Sequence, residues 1–360
     1  MKMTAMEVPV RLTDLGFDPW FVERWAALGQ PEPVGRAWRL DRGWCTVLLA
    51  PEGQAPEPIR ARTYGQVAVG DWVVLDADGD KVEHVLERRS AFARRASYEG
   101  ARAQEHVVAA NVDAVFLIHA LVAPPNQRRL ERELVLVYES GAEPVIVLTK
   151  ADLASDIAGA LADVEAVALG VPVHAVSARS GLGVDVLHGY ARGQRTVALL
   201  GASGAGKSTL VNALVGHERQ RTADVREGDN RGRHTTVAAE LVPLPNGGYL
   251  VDTPGLRAVS LWSADDDTPH GLDRAFADVI ALAQRCKFRD CAHESEPGCA
   301  VRAAVAAGEL PEQRMISWQH LTAELAALEQ ESIEVERAAK RGRAKRRRSG
   351  RGGPEEPADD

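Results

Sequence analysis

Long apolar runs are missing from this chain of 360 residues. The longest mostly apolar stretch, 106–122, is broken by Asn111, Asp113 and His119, so no membrane span is expected. The first ten residues hold no apolar run of the signal-peptide kind, and a cytoplasmic protein is expected. Cysteine is scarce as well: Cys45, Cys286, Cys291 and Cys299 are all there is. Three of them fall close together with His293 among them, which in such a chain points to metal rather than to disulfides. Positive charge is thin outside one segment. Residues 337–351 hold nine Lys or Arg and no acid, while the last nine residues carry four acids. Taking those charges out of the net −8 leaves −13 for residues 1–336. An acidic body excludes a generic nucleic-acid binder, so any RNA contact must come from local patches and the tail.

What is present is ordinary for a soluble globular protein: 45% apolar and 26% charged residues, with length for two or three cores. Leu12 to Leu28 has helical apolar spacing, with Asp14 and Asp18 as caps, before Pro31 and Pro33 break it. From Gly35 to about Glu87 short β-type runs such as Cys45–Leu49 and Trp72–Leu75 predict a small barrel. From about residue 104 strands and helices alternate. Ala114–Ile118, Val145–Leu148 and Val173–Val176 read as buried parallel strands, with Arg128–Ser140 and Ile157–Leu169 as the helices between them. Asn246-Gly247-Gly248 reads as a hairpin turn. After Gly255 the chain turns helical around the Cys/His cluster, and from Arg337 it is low-complexity and expected to be disordered.

The chemistry lies in five short motifs. Gly201-Ala202-Ser203-Gly204-Ala205-Gly206-Lys207-Ser208 follows the apolar run Val197–Leu200 and opens a helical run at Thr209. That strand–loop–helix context is what a phosphate loop needs. Glycines let backbone N–H groups curl around phosphate oxygens, Lys207 reaches the β- and γ-phosphates, and Ser208 ligates Mg²⁺. Asp252, in Asp252-Thr253-Pro254-Gly255, stands where an acid holds Mg²⁺ through water. Thr235-Thr236 lies between them and supplies a switch hydroxyl for Mg²⁺ and the γ-phosphate. Thr149-Lys150-Ala151-Asp152 ends a buried strand, where a carboxylate accepts hydrogen bonds from the guanine N1–H and 2-amino groups. The first position is usually Asn, and the Thr149 hydroxyl makes the same kind of tether. Ser177-Ala178 completes the base pocket. The guanine readers precede the phosphate loop, so the domain reads as a circularly permuted GTPase. Cys286, Cys291, His293 and Cys299 form a complete tetrahedral zinc set with no open position, hence structural. Cys45 reads as a small buried apolar residue.

Together these residues resemble the ribosome small-subunit-dependent GTPase A family (RsgA, also called YjeQ). The resemblance runs from Val69-Gly70-Asp71-Trp72-Val73 through Ala109-Ala110-Asn111-Val112-Asp113, the permuted motif order and Gly232-Arg233-His234-Thr235-Thr236 to Pro297-Gly298-Cys299-Ala300-Val301. It implies a multidomain α/β protein. Residues 1–34 form an N-terminal helical extension, 35–103 an OB-fold β-barrel and 104–262 a circularly permuted P-loop GTPase domain on a doubly wound, mostly parallel sheet. Residues 263–336 form a helical zinc-binding domain and 337–360 a disordered basic tail. It further implies a monomer that hydrolyses GTP to GDP with Mg²⁺, carries one zinc, binds the small ribosomal subunit and its rRNA, and assists late maturation of that subunit. Leu256 stands where Ras-like proteins place a water-orienting Gln. The resemblance makes His234 the group that acts instead, or else a residue that positions its loop, with Thr236, Lys207 and Asp252 completing the catalytic set. The alternatives are a nucleotide-gated RNA-binding module with incidental hydrolysis, and a P-loop kinase, against which Thr149–Asp152 argues. The chain order also ties the γ-phosphate-sensing segment directly to the zinc domain.

Overall fold

The N-terminal stretch expected to be one helix is split in two. The structure, a computed structural model, describes residues 12–29, 33–41, 43–50, 57–95, 105–122, 126–216, 239–253, 256 and 271–349. Leu12–Leu15 forms a single 3-10 turn, and α1 (Pro19–Ala27) starts afresh. Asp18 is the cause: its carboxylate accepts from the amides of Trp20 and Phe21, and Pro19 supplies a preset φ at the first helical position. Phe17 and Phe21 then pack on Trp72 with ring centroids 4.6 and 5.7 Å away. Each fully buried ring of this size contributes about 1.5–3 kcal/mol, which straps the extension to the barrel.

The barrel comprises β1 (Val34–Asp41), β2 (Trp44–Leu49), β3 (Glu57–Arg62), β4 (Trp72–Leu75) and β5 (Val82–Val85). They pair antiparallel in the order β3-β2-β1-β4-β5, and an isolated parallel bridge from Arg62 to Lys81 brings the ends together. Ala37, Cys45, Val47, Ala61, Val73 and Leu75 fill the interior. A hairpin of β6 (Ala91–Arg95) and β7 (Glu105–Ala110) leads out of it. At the exit Gly70 has φ +92°, and a Cβ there would lie 2.2 Å from the Ala110 carbonyl oxygen, so only glycine fits. Asn111 locks the same seam, accepting from the Arg89 amide (2.9 Å) and donating to the Gly70 carbonyl (3.0 Å).

The central layer runs β8 (Ala114–Ala120), α2 (Gln127–Glu139), β9 (Glu143–Thr149), α3 (Ile157–Val167), β10 (Val173–Ala175), α4 (Val184–His188), β11 (Thr196–Gly201), α5 (Lys207–Val215), β12 (Ala239–Pro243) and β13 (Tyr249–Asp252). The strand order is β10-β9-β8-β11-β13-β12, all parallel except β12. The strands are apolar throughout because both faces are covered. Val115 and Leu117 join the cluster containing Leu130, Leu134 and Val164 of α2 and α3. Phe116 and Ile118 join Leu187, Leu210 and Leu214 of α4 and α5. Strand order reverses between β8 and β11, and in open sheets of this kind that is where ligands bind. On its far edge β12 pairs with β1, so the barrel and the central sheet share one hydrogen-bonded surface.

The C-terminal part is helical: α6 (Gly271–Ala275), α7 (Ala277–Ala283), α8 (Ala300–Ala306) and α9 (Glu312–Ser349). Arg314, 2% exposed, fastens it to the central domain. Its guanidinium donates to both Asp278 oxygens (2.5 and 2.7 Å), to Glu131 Oε1 (3.2 Å) and to the carbonyls of Val167 (3.0 Å) and Ala275 (2.9 Å). The expected disorder from Arg337 is corrected: α9 continues to Ser349. Ala, Lys and Arg are strong helix formers, and cations suit a helix C-terminus, so the segment extends the preceding helix. No described helix is long and apolar enough to cross a membrane.

Candidate active site

The C-terminal ends of β9, β10, β11 and β13 deliver four of the five motifs to one edge of the sheet. The phosphate loop leaves β11 at Gly201, where a Cβ would meet the Ile118 carbonyl at 2.5 Å, and enters α5 through Gly206 at φ +92°. These two glycines turn the strand into a helix whose first amides face outward. Lys207 Nζ donates to the Gly201 carbonyl (2.7 Å) and more closely to that of Ala202. The ammonium is thereby held over the loop. Ser208 and Thr209 follow in the first turn of α5, partly buried and exposed respectively. Asp252 ends β13, paired across the hairpin with Glu240.

The base motif is fastened to this loop directly. The Thr149 hydroxyl, 3% exposed, donates to the Ala205 carbonyl at 2.6 Å. Threonine thus supplies the tether for which the sequence pattern usually has asparagine. Lys150 takes a left-handed φ of 59°, a strain of roughly 1–3 kcal/mol that bends the chain so that Asp152 projects to solvent. The Ala151 amide donates to the Val176 carbonyl (3.1 Å), which brings Ser177 and Ala178 alongside. Ser177 is buried, with its Oγ accepting from the Ser180 amide (3.3 Å), and Ala178 is partly buried. His234, Thr235, Thr236, Pro254 and Gly255 lie outside the described residues. Leu256 is 3% exposed and belongs to the core, consistent with a side chain that orients no water.

The second site is the Cys/His cluster. Cys286 Sγ lies 4.0 Å from Cys299 Sγ and 3.6 Å from His293 Nδ1, and His293 Nδ1 lies 3.3 Å from Cys299 Sγ. With Cys291, all four donor atoms fall within 4.8 Å of one another. A tetrahedron of bonds about 2.3 Å long places sulfurs about 3.8 Å apart, so the donor set fits a zinc ion. His293 holds φ 60° to present its ring, and Trp318 of α9 packs edge-on against it at 5.2 Å. Burial works against ionisation of Cys286, yet the amides of Ala300 and Val301 at the start of α8 hold its thiol below the usual range. Burial and the neighbouring thiols push Cys291 up to about 11. A bound divalent cation reverses that penalty. Arg314 and its partners Glu131 and Asp278 escaped the sequence reading, because only the fold brings those separated positions together.

A phosphate loop and a base-reading loop joined at a topological switch point, with the base reader first in the chain, define a circularly permuted nucleotide-binding protein of the P-loop class. Residues 85–262 match the family model described as RsgA GTPase. A protein of Streptomyces coelicolor named "Small ribosomal subunit biogenesis GTPase RsgA" is 45% identical over 304 residues, 81% of this chain and 80% of that one. A relative of the same name from Methanosarcina acetivorans is 45% identical over 264 residues, 72% and 70% of the two chains. The crystal structure of YjeQ from Thermotoga maritima aligns over 81% of this chain and 98% of that one, with 27% identity and a TM-score of 0.59. YloQ, titled a circularly permuted GTPase, aligns over 82% and 95% with 25% identity and a TM-score of 0.58. The chain belongs to the RsgA GTPase family, and it is a GTP hydrolase.

Proposed function

We propose that this protein binds the small ribosomal subunit, assists its late maturation, and hydrolyses GTP to GDP and phosphate faster when that subunit is present. The observation that carries the partner is 45% identity, over four fifths of the chain, to relatives named for small-subunit biogenesis. In this reading Thr149–Asp152, Ser177 and Ala178 hold guanine, and Gly201 to Thr209 hold the phosphates. Ser208, Asp252 and a hydroxyl of Thr235 or Thr236 hold Mg²⁺, which when bound neutralises charge on the phosphate oxygens. Lys207 steadies the β- and γ-phosphates, and His234 orients the attacking water or the loop that does. Cys286, Cys291, His293 and Cys299 hold one structural zinc.

The barrel is an OB-fold in this reading, and its outer face fits rRNA. Arg60 and Arg62 lie over the Trp44 ring at 4.9 and 5.2 Å, and Tyr64 is 72% exposed beside Lys81. Aromatic rings flanked by cations stack on bases and meet phosphates, which lets an acidic body approach RNA locally. The protein acts as a cytoplasmic monomer. The test is the GTPase rate with purified small subunits, large subunits and neither. Stimulation by small subunits alone is expected, and equal rates in all three would refute the reading.

Two further results follow from it. Asp152→Asn is expected to weaken GTP binding roughly ten- to a hundredfold, since a hydrogen bond to a charged group contributes about 1.5–3 kcal/mol, and to relax selection against xanthine nucleotide. Asp152 is exposed, so the fold is untouched, and unchanged GTP affinity would remove it from the base pocket. Truncation after Glu336 removes a run of nine positive charges from a chain whose remainder is acidic. Small-subunit affinity should fall and its salt slope flatten, by about 0.7–0.9 for each phosphate that is no longer neutralised, with intrinsic hydrolysis unchanged. Equal affinities at two salt concentrations would show that the barrel and the metal-cluster region suffice.

A further inference from the structure

At the opposite end of β8 and β11 from the nucleotide edge, a cleft of about 550 Å³ opens between the N-terminal strap, the barrel and the central sheet. Arg36 lies at its inner wall, 2% exposed. One terminal nitrogen donates to the Leu15 carbonyl (2.5 Å) and the other to Thr196 Oγ1 (2.6 Å), while Nε has no hydrogen-bond partner. Among the described residues no carboxylate comes within ion-pair distance of it. The ring faces of Tyr249 and Trp72 lie at 5.2 and 5.6 Å, and Asp113 acts on it only from beyond ion-pair distance. A buried cation that makes no direct ion pair is costly, so an anion arriving here would meet incompletely compensated positive charge.

The mouth of the cleft carries two more arginines. Arg89 pairs closely with Asp18 and stands 3.5 Å from Asp113, and Arg195 stands 3.9 Å from the same aspartate. The two approaches to Asp113 are longer than hydrogen bonds, so they balance charge while leaving N–H donors uncommitted. The side chains of Arg89 and Arg195 are 35% and 46% exposed, hence reachable. Three arginines against two aspartates leave one positive charge in the lining. Backbone strain points to the same place. Four described non-glycine residues have positive φ: Lys150 in the base loop, His293 in the metal cluster, and Asn111 and Gln194, which both line this cleft.

We propose that this junctional cleft binds a phosphate group, with Arg195 and Arg89 as the contacting residues and Arg36 as the buried positive charge beneath it. Guanidinium groups meet phosphate oxygens through paired N–H donors, which the two partly exposed arginines at the mouth supply. A free phosphorylated small molecule and an RNA backbone offer the same chemistry, and the site would report on either at the point where barrel, strap and GTPase domain meet.

The experiment uses the full chain with a non-hydrolysable GTP analogue and Mg²⁺ bound, so that the phosphate loop, its γ-phosphate position included, is filled. It is titrated calorimetrically with inorganic phosphate at constant ionic strength, and in a second arm with a short single-stranded RNA in competition with phosphate. Saturable phosphate binding is expected, weakened at least tenfold by Arg195→Ala, with melting temperature and GTP turnover unchanged in that variant. Arg36 also bonds the Leu15 carbonyl and Thr196, so its replacement would disturb the strap as well, and the Arg195 variant decides the matter. Displacement of phosphate by the RNA assigns the site to a nucleic-acid backbone, and failure to displace it assigns the site to a small phosphorylated molecule. Absence of saturable phosphate binding, or equal binding by Arg195→Ala, overturns the proposal.

Discussion

Lys207→Ala is expected to cut GTP turnover by a factor on the order of 10²–10³, the usual loss when one preorganised charge stabiliser is removed. The reason is the position of the ammonium. It is held over the loop by the carbonyls of Gly201 and Ala202, next to the outward-facing amides of α5. Charge that develops on the phosphate oxygens therefore meets a donor that needs little rearrangement. The side chain takes no part in either face of the sheet, so the variant should melt with the parent. Ser208→Ala should lose turnover through Mg²⁺ while still binding GDP. Parent-like turnover in either protein would dissociate this loop from catalysis.

Replacing Cys286 and Cys291 together by serine should take zinc content from one ion per chain to none. In small zinc modules the ion contributes about 10–16 kcal/mol of folding free energy, more than the short helices here can supply by packing. α6 and α7 are still held to α2 through Asp278, Arg314 and Glu131, so loss of order should centre on 286–310 rather than on the whole C-terminal part. Hydrogen exchange would show this directly. Cys45→Ser is the control: that thiol is fully buried in the barrel, pushed up to about 12 by burial, and far from the cluster in the fold. Zinc retained by the double variant would show that other ligands hold it.

The motifs were legible because each is a local requirement. The phosphate loop needs two glycines and a lysine at fixed spacing, and the metal set needs four soft donors close together. The parallel strands were legible because continuous apolar runs of strand length, such as Ala114–Ile118, suit a strand covered on both faces. What stayed hidden depends on long-range closure. The reason for glycine at Gly70 shows only once the Ala110 carbonyl lies against it, and Arg314 is an ordinary helix residue until Glu131 and Asp278 flank it. The continuation of α9 past Arg337 was hidden for a different reason. Composition alone suggested a solvated coil, but a helix already nucleated upstream extends at low cost through Ala, Lys and Arg.

The pairing of β12 with β1 has a mechanical consequence. The register joins Ala239 to Leu40 and Glu240 to Arg39, so the barrel's first strand is bonded to the strand that begins three residues after Thr236. Three residues of chain span at most about 10 Å. If Thr236 closes on the γ-phosphate as proposed, it does so on a short leash whose other end is the barrel wall. On that proposal the nucleotide state would reach the barrel along the chain itself, while the chain after Asp252 continues in sequence toward the metal cluster. In the proposed reading, one bond-breaking event would pull in two directions, toward both modules that flank the GTPase domain.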